Sequence, residues 1–436
     1  MELEDRILPY IICFLVGEDL PGEWTKIIGY TNDPDMFSRY KVVILPSGFF
    51  DKRIYGTKAS LPQLPLQKIR GIPLLFGSPQ TERKGDTWII HADILASTYF
   101  LISRYEEMIH RDIRDAHGRF PGKESLPYKA GFIHRPIIDE YRMLLHQWLI
   151  QSHIHIPNIK RQIQKIYLTH DVDSPTLYRS WKGLVRSLLN GRGLWNSLKG
   201  KFGPLEKDPY YTFPWLFHQD DALQKRIGKE RCQSILFIRS GGKNTFDKPH
   251  YTLNNKDIQK LIHYARTYDM AIGLHDSYQA GMDPTLIQKE KTNLENHLGK
   301  RIYFNRHHFL SSREPEDMDQ LEVAGITDDF TLGYADVAGF RLGTCYPVHW
   351  INPVTQHLSS ALRLHPLTIM DCSLEEKKYM GLDHEQALAY CQNLIGQTSQ
   401  VGGELVLLWH NDSIQEGTNS YLRDLYAQIL KELTKD

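Results

Sequence analysis

The stretch "KIYLTHDVDSP" (165–175) places two carboxylates, Asp171 and Asp173, at the end of an apolar run. In a strand, residues two apart share a side, so both acids face one way and Val172 the other. Two carboxylates this close resist joint ionisation unless a cation or a donor relieves them. A metal on one acid and general-base duty for the other would do so; solvated loop acids are the plainer reading of the motif alone. Four more polar clusters each follow an apolar segment. They are His275 in "AIGLHDSYQ", Arg306, His307 and His308 in "YFNRHHFL", Asp371 in "LTIMD", and His410 in "LLWHND". Each is unspecific by itself. In this order they suggest one site at the C-terminal ends of parallel strands, where catalytic groups of β/α barrels collect.

The elements that must position these groups can be read from periodicity. Strands are expected at "KIYLT", "SILFI" (234–238), "MAIGL" (270–274) and "ELVLLW" (404–409). Helices are expected at 256–268, 285–298, 384–395 and 420–433. Such alternation implies a parallel sheet or a β/α barrel. The first part of the chain reads as mixed α/β. Its strand-length runs are Ile11 to Val16, Val42 to Pro46 and Ile72 to Phe76; its helices are "DILASTYFLISRYEE", with Asp93 as N-cap, and "IIDEYRMLLHQWLI". A domain boundary is expected near residue 155, giving units 1–155 and 156–436.

Composition narrows the function classes. The chain of 436 residues has 52 Lys+Arg and 52 Asp+Glu, which offers no electrostatic case for nucleic-acid binding. The five cysteines are scattered without metal-finger or redox spacing. The N-terminus lacks the basic start and small-residue cleavage site of a signal peptide, and no run approaches the length of a membrane span, so a cytoplasmic protein is expected. Segment 180–203 mixes Trp181, Leu184, Leu188, Trp195 and Leu198 with Lys182, Arg186, Arg192, Lys199 and Lys201, and holds no acid. It reads as a helical lid or flap packed on the barrel with its charges solvated; peripheral contact with an anionic membrane is the alternative.

On "THDVD", His275, Arg306 and "LLWH", the chain resembles the polysaccharide deacetylases of the NodB-homology superfamily (carbohydrate esterase family four) over about residues 160–436. "GITDDFTLGYADVAGFRLGTCYP", "HPLTIMD" and "GGELVLLWHND" resemble blocks of a two-domain subgroup common in Bacteroidetes, and "YFLISRYEE…HGRFPGKESL" resembles its uncharacterised N-terminal domain. The resemblance implies a distorted (β/α) barrel preceded by a smaller mixed α/β domain, and a divalent metal, usually zinc. It implies Asp171 as general base, Asp173 and His275 as metal ligands, His410 as general acid and Arg306 as the group orienting the base. Where the family has a second histidine four residues after the first, this chain has Gln279. The third ligand is therefore open between His308, in a run resembling "R-x-H-F-L", and Gln279 or another residue.

The implied reaction is metal-dependent removal of an N-acetyl group from an amino sugar. Asp371, or alternatively Asp329, would hold the His410 imidazole charged. Tyr334, Arg341 and Trp409 would line the sugar site. Hydrolysis of another C–N bond on the same fold and non-catalytic carbohydrate binding are the rivals, the latter fed by Gln279. The glycan, the oligomeric state and the role of the N-terminal domain are not set by the sequence.

Overall fold

The computed structural model describes residues 5–17, 23–179, 181–189, 191 and 193–434; Arg192 of the basic segment lies outside them, as do the side chains of Trp181, Lys182 and Arg186. Six short strands come first: β1 (Ile28–Tyr30), β2 (Val42–Ile44), β3 (Gln67–Ile69), β4 (Ile72–Leu74), β5 (Gly77–Lys84) and β6 (Thr87–Ala92). Four of them form a sheet in the order β1-β2-β6-β5, parallel except for the β5–β6 hairpin. Asp93 follows β6 and caps the buried helix Ile94–Ile102, accepting from the Ala96 amide at 2.9 Å. The helix Ile137–Gln151 packs beside it. The run Ile11–Val16, expected as a strand, lies instead in the helix Ile7–Val16. Pro9 does not stop that helix, because first-turn amides have no intrahelical partner to lose. The run lacks the alternation of a half-buried strand, and all of Ile11–Val16 is buried.

The larger domain is a curled sheet of nine strands: β7 (Lys165–Val172), β8 (Cys232–Ile238), β9 (Ala271–Asp276), β10 (Phe304–His307), β11 (Asp328–Asp329), β12 (Val348–Asn352), β13 (His357–Leu364), β14 (Leu367–Met370) and β15 (Glu404–Leu408). Their spatial order is β12-β13-β11-β10-β9-β8-β7-β15-β14, and all pairs but β12–β13 are parallel. Helices cover the outside, giving a distorted β/α barrel preceded by the smaller α/β domain. Parallel strands buried on both faces read as continuous apolar runs, which is why β7, β8, β9 and β15 were legible. Alternation sorts their residues. Ile235, Phe237, Val406 and Leu408 fill the inside of the curl together with Phe330 and Met370. Leu405, Leu407 and Trp409 point out to the helices.

The smaller domain docks on the barrel's C-terminal edge through buried charge. Arg104 Nη2 and Arg341 Nη2 donate to the Glu107 carboxylate at 2.6 and 2.8 Å, and Arg104 Nη1 reaches Ser312 Oγ at 2.8 Å. At Gly122 the two domains approach so closely that a Cβ would lie 2.5 Å from Val337 and 2.7 Å from Tyr334, which a side chain could not do.

Between β7 and β8 the basic segment forms two helices, Trp181–Leu189 and Leu194–Phe202, joined by Ser187 Oγ and Ser197 Oγ at 2.6 Å. Leu184, Ser187 and Ser197 are buried. Leu189, Trp195 and Phe202 stand 82%, 77% and 68% exposed.

Candidate metal centre

Five strand ends converge at the C-terminal edge. Asp171 belongs to β7 and Asp173 lies just beyond it; His275 belongs to β9; Arg306 ends on β10 with His308 after it; Asp371 follows β14; His410 follows β15. Parallel register sets β10 against β9 with Arg306 opposite His275, so their neighbours reach the same height. Asp171 and Asp173 face the same side, while His170 points outward and bonds the Trp409 carbonyl at 2.8 Å and Asp220 Oδ2 at 2.9 Å.

Asp173, His275 and His308 bring one donor atom each within 4.8 Å of the others. Asp173 Oδ1 lies 3.0 Å from His275 Nε2 and 3.3 Å from His308 Nε2. Both histidines are oriented from behind. His275 Nδ1 donates to the Arg306 carbonyl at 2.8 Å, and His308 Nδ1 donates to Asp247 Oδ1 at 3.0 Å. Those bonds orient the rings and turn both Nε2 atoms toward Asp173. One carboxylate and two imidazoles with an open side fit zinc or a similar divalent ion.

Burial draws the His308 imidazole pKa down, and Asp173 and Asp247 offset this only in part. Burial works against the charge on Asp173 more weakly than His308, His275 and His410 favour it, and its carboxyl lies well below the usual range. His275 is raised: burial lowers it, but Asp171 and the Asp173 hydrogen bond prevail.

Two groups flank this triad. Asp171 Oδ2 lies 3.8 Å from His275 Nε2, and its Oδ1 accepts from Arg306 Nη1 at 3.1 Å. Arg306 is fully buried, a costly place for a cation without compensation. It also donates to Thr169 Oγ1 at 2.7 Å and the Phe330 carbonyl at 3.1 Å, and lies 4.7 Å from the Phe237 ring centroid. On the other side His410 Nε2 is 3.8 Å from Asp173 Oδ2. Its Nδ1 donates to Asp371 Oδ1 at 2.8 Å, and Asp371 also accepts from the His410 amide at 2.8 Å. Burial opposes charge on this imidazole, yet Asp371 outweighs it and carries the pKa well above its usual range. Asp371, Cys372 and His410 form a second group whose donor atoms lie within 4.8 Å, but the His410 Nδ1 in it is taken up by Asp371.

Several expected site residues lie elsewhere. Gln279 sits on the short helix Tyr278–Met282, and its Oε1 accepts from the Lys243 amide at 3.0 Å. Asp329 bonds Asn305 and Thr331 rather than His410. Trp409 faces outward, donating to the Leu422 carbonyl at 3.1 Å and packing on Tyr426. Strand alternation gives the inward position to Leu408 instead. Arg341 and Tyr334 lie at the domain junction, with the guanidinium 4.9 Å from the Tyr334 ring and engaged by Glu107.

A cavity of about 130 Å³ opens beside Asp171, Asp173 and His410, walled by Met370, Tyr379 and Arg119. Arg119 comes from the N-terminal domain and went unnoticed in the sequence. It donates to the Phe309 carbonyl at 2.7 Å and pairs with Asp115 at 2.7 Å. Asp247 was also missed. It follows an apolar strand, β8, as the recognised clusters do, but nine residues later.

Residues 19–154 match a family of unknown function (DUF7033). No curated protein matches the chain. Among solved structures, a crystal structure assigned as a polysaccharide deacetylase from Mycobacterium smegmatis is similar at 16% identity and TM-score 0.41, over 64% of this chain and 86% of that one.

Proposed function

We propose that the protein is a metal-dependent hydrolase that removes N-acetyl groups from an amino sugar in a glycan or glycan precursor, with the catalytic unit in residues 156–436. The observation that carries this reading is the convergence of Asp173, His275 and His308 on one point with Asp171 and His410 on either side. Asp173, His275 and His308 would hold the cation, which would supply polarisation of the acyl carbonyl and a more acidic attacking water.

The chain's own groups do the rest. Asp171, kept in place by Arg306, accepts the proton of the water that adds to the carbonyl carbon. The C–N bond then breaks, and His410 delivers a proton to the departing amine, since an amide anion is a very poor leaving group. Asp371 holds His410 protonated and fixes its Nε2 toward the cleft. The cavity of about 130 Å³ admits an acyl group, leaving the remainder of the substrate outside.

Acetate release from N-acetylated oligosaccharides, measured after chelation and after zinc is restored, tests the reading. We expect activity only with metal. Asp171→Asn should cost 10²- to 10⁴-fold in kcat, on the order expected for a lost general base, with metal content unchanged. His308→Ala should lose the metal. Chelator-resistant acetate release, or an active Asp171→Asn, would sink the proposal. A parallel panel of cyclic amides separates the rival C–N hydrolase.

A further inference from the structure

We infer that the helical hairpin 181–202 is a docking surface for an anionic phospholipid membrane. Among the described residues the two helices bury Gly183, Leu184, Ser187, Ser197 and Lys201. Leu198 is half-buried, and six of their apolar residues, Val185, Leu188, Leu189, Leu194, Trp195 and Phe202, are exposed. These are six of the fourteen large apolar side chains exposed among the described residues, gathered within one hairpin. So dense an apolar patch marks an interaction surface.

Charge selects the occupant. Residues 180–203 hold five Lys and Arg and no acid, in a chain whose total charge is zero. Basic residues interleaved with Trp, Leu and Phe suit the headgroup boundary of an anionic bilayer, where indole rings and cationic side chains both find partners. No described helix is long and apolar enough to cross a membrane, and these helices have nine residues each, so the hairpin lies on the surface. It leaves the sheet at the C-terminal end of β7, the edge that carries Asp171, Asp173, His275 and His410. The same edge would then meet a saccharide carried on a lipid, a corollary that rests on the proposed function. The docking itself uses none of the proposed catalytic groups.

Co-sedimentation of the full chain with vesicles tests it. We expect partition onto phosphatidylglycerol/phosphatidylcholine vesicles, little onto pure phosphatidylcholine, and weakening in high salt. Leu189→Ser/Trp195→Ser should bind at least tenfold more weakly with an unchanged thermal midpoint. Brominated lipid should quench tryptophan fluorescence in the wild type and less so in Trp195→Phe. Asp171→Asn should bind like wild type, which separates this result from the fate of the proposed chemistry. Equal partition of the double variant and wild type overturns the inference. So do absence of binding to anionic vesicles, and a concentration-dependent dimer that the double variant abolishes, which would assign the patch to a second copy.

Discussion

Each candidate ligand histidine has one ring nitrogen committed to a fixed acceptor, and that commitment is what makes the other available. For His308 the acceptor is Asp247, which also takes the Tyr278 amide at 2.7 Å. Burial raises the Asp247 carboxyl pKa less than His308, the Tyr278 amide and Arg239 lower it, so it is ionised at the back of the site. Asp247→Asn keeps the shape and removes the charge. We expect metal affinity to fall about 10- to 100-fold, the usual effect of losing such a partner, read by competition with a chromophoric chelator. An unchanged affinity would show that Asp247 serves only the loop. At this scale residue type was informative where two or more polar groups had to share a strand end. It was uninformative for Trp409, because type does not reveal which side of β15 a residue takes.

The turn after β10 is strained. Phe309 and Leu310 both adopt left-handed backbone conformations, with φ of 61° and 52°, which non-glycine residues avoid. Such conformations persist only where the surroundings enforce them, and here they set the direction of His308. Arg119 is one enforcing group, through its bond to the Phe309 carbonyl. This gives the N-terminal domain a part in building the cleft. In Arg119→Met we expect metal affinity to drop about tenfold with a loss of about 1–3 kcal/mol in stability, the range for losing a hydrogen bond to a charged group. Arg119→Lys should recover part of the affinity. If Arg119→Met loses stability alone, the turn is held without it. The helix at Tyr278–Met282 belongs to the same scale: Ser277 caps it by accepting from the Ala280 amide at 3.0 Å, and Gln279 is turned toward Lys243.

Across the molecule, polar networks far from the cleft tie the sheet together. His365 lies between Glu404 at 2.8 Å and Asp328 at 3.0 Å, stacked on Phe330, with Arg363 on the far side of Asp328 and Tyr167 edge-on. Burial lowers the imidazole pKa, but Glu404 and Asp328 outweigh it and raise the value from 6.5 to about 9. A histidine raised in the folded state stabilises fully below its unfolded pKa, and the contribution fades as pH climbs to the folded one. Its share should therefore be whole below pH 6.5 and disappear as pH rises through about 9. His365→Gln should cost about 3 kcal/mol at pH 6, as breaking a buried ion pair does, and little at pH 9.5. Denaturant titrations at both pH values decide this. A pH-independent loss would mean that packing on Phe330, not charge, is what His365 supplies.

What the sequence determined by itself follows from local rules. Continuous apolar runs fixed β7, β8, β9 and β15, an aspartate before a helical period fixed the cap at Asp93, and alternation put Asp171 and Asp173 on one side. The tertiary structure alone decided which distant groups meet. It brought His308 rather than Gln279 beside Asp173, paired His410 with Asp371 rather than Asp329, and carried Arg119 across the domain junction to the His308 turn. It also turned Ile7–Val16 into a helix and left one side of the basic hairpin uncovered. The reason is physical: a period of two or 3.6 residues specifies which residues share a face, whereas what that face meets depends on strand order, which no local pattern encodes.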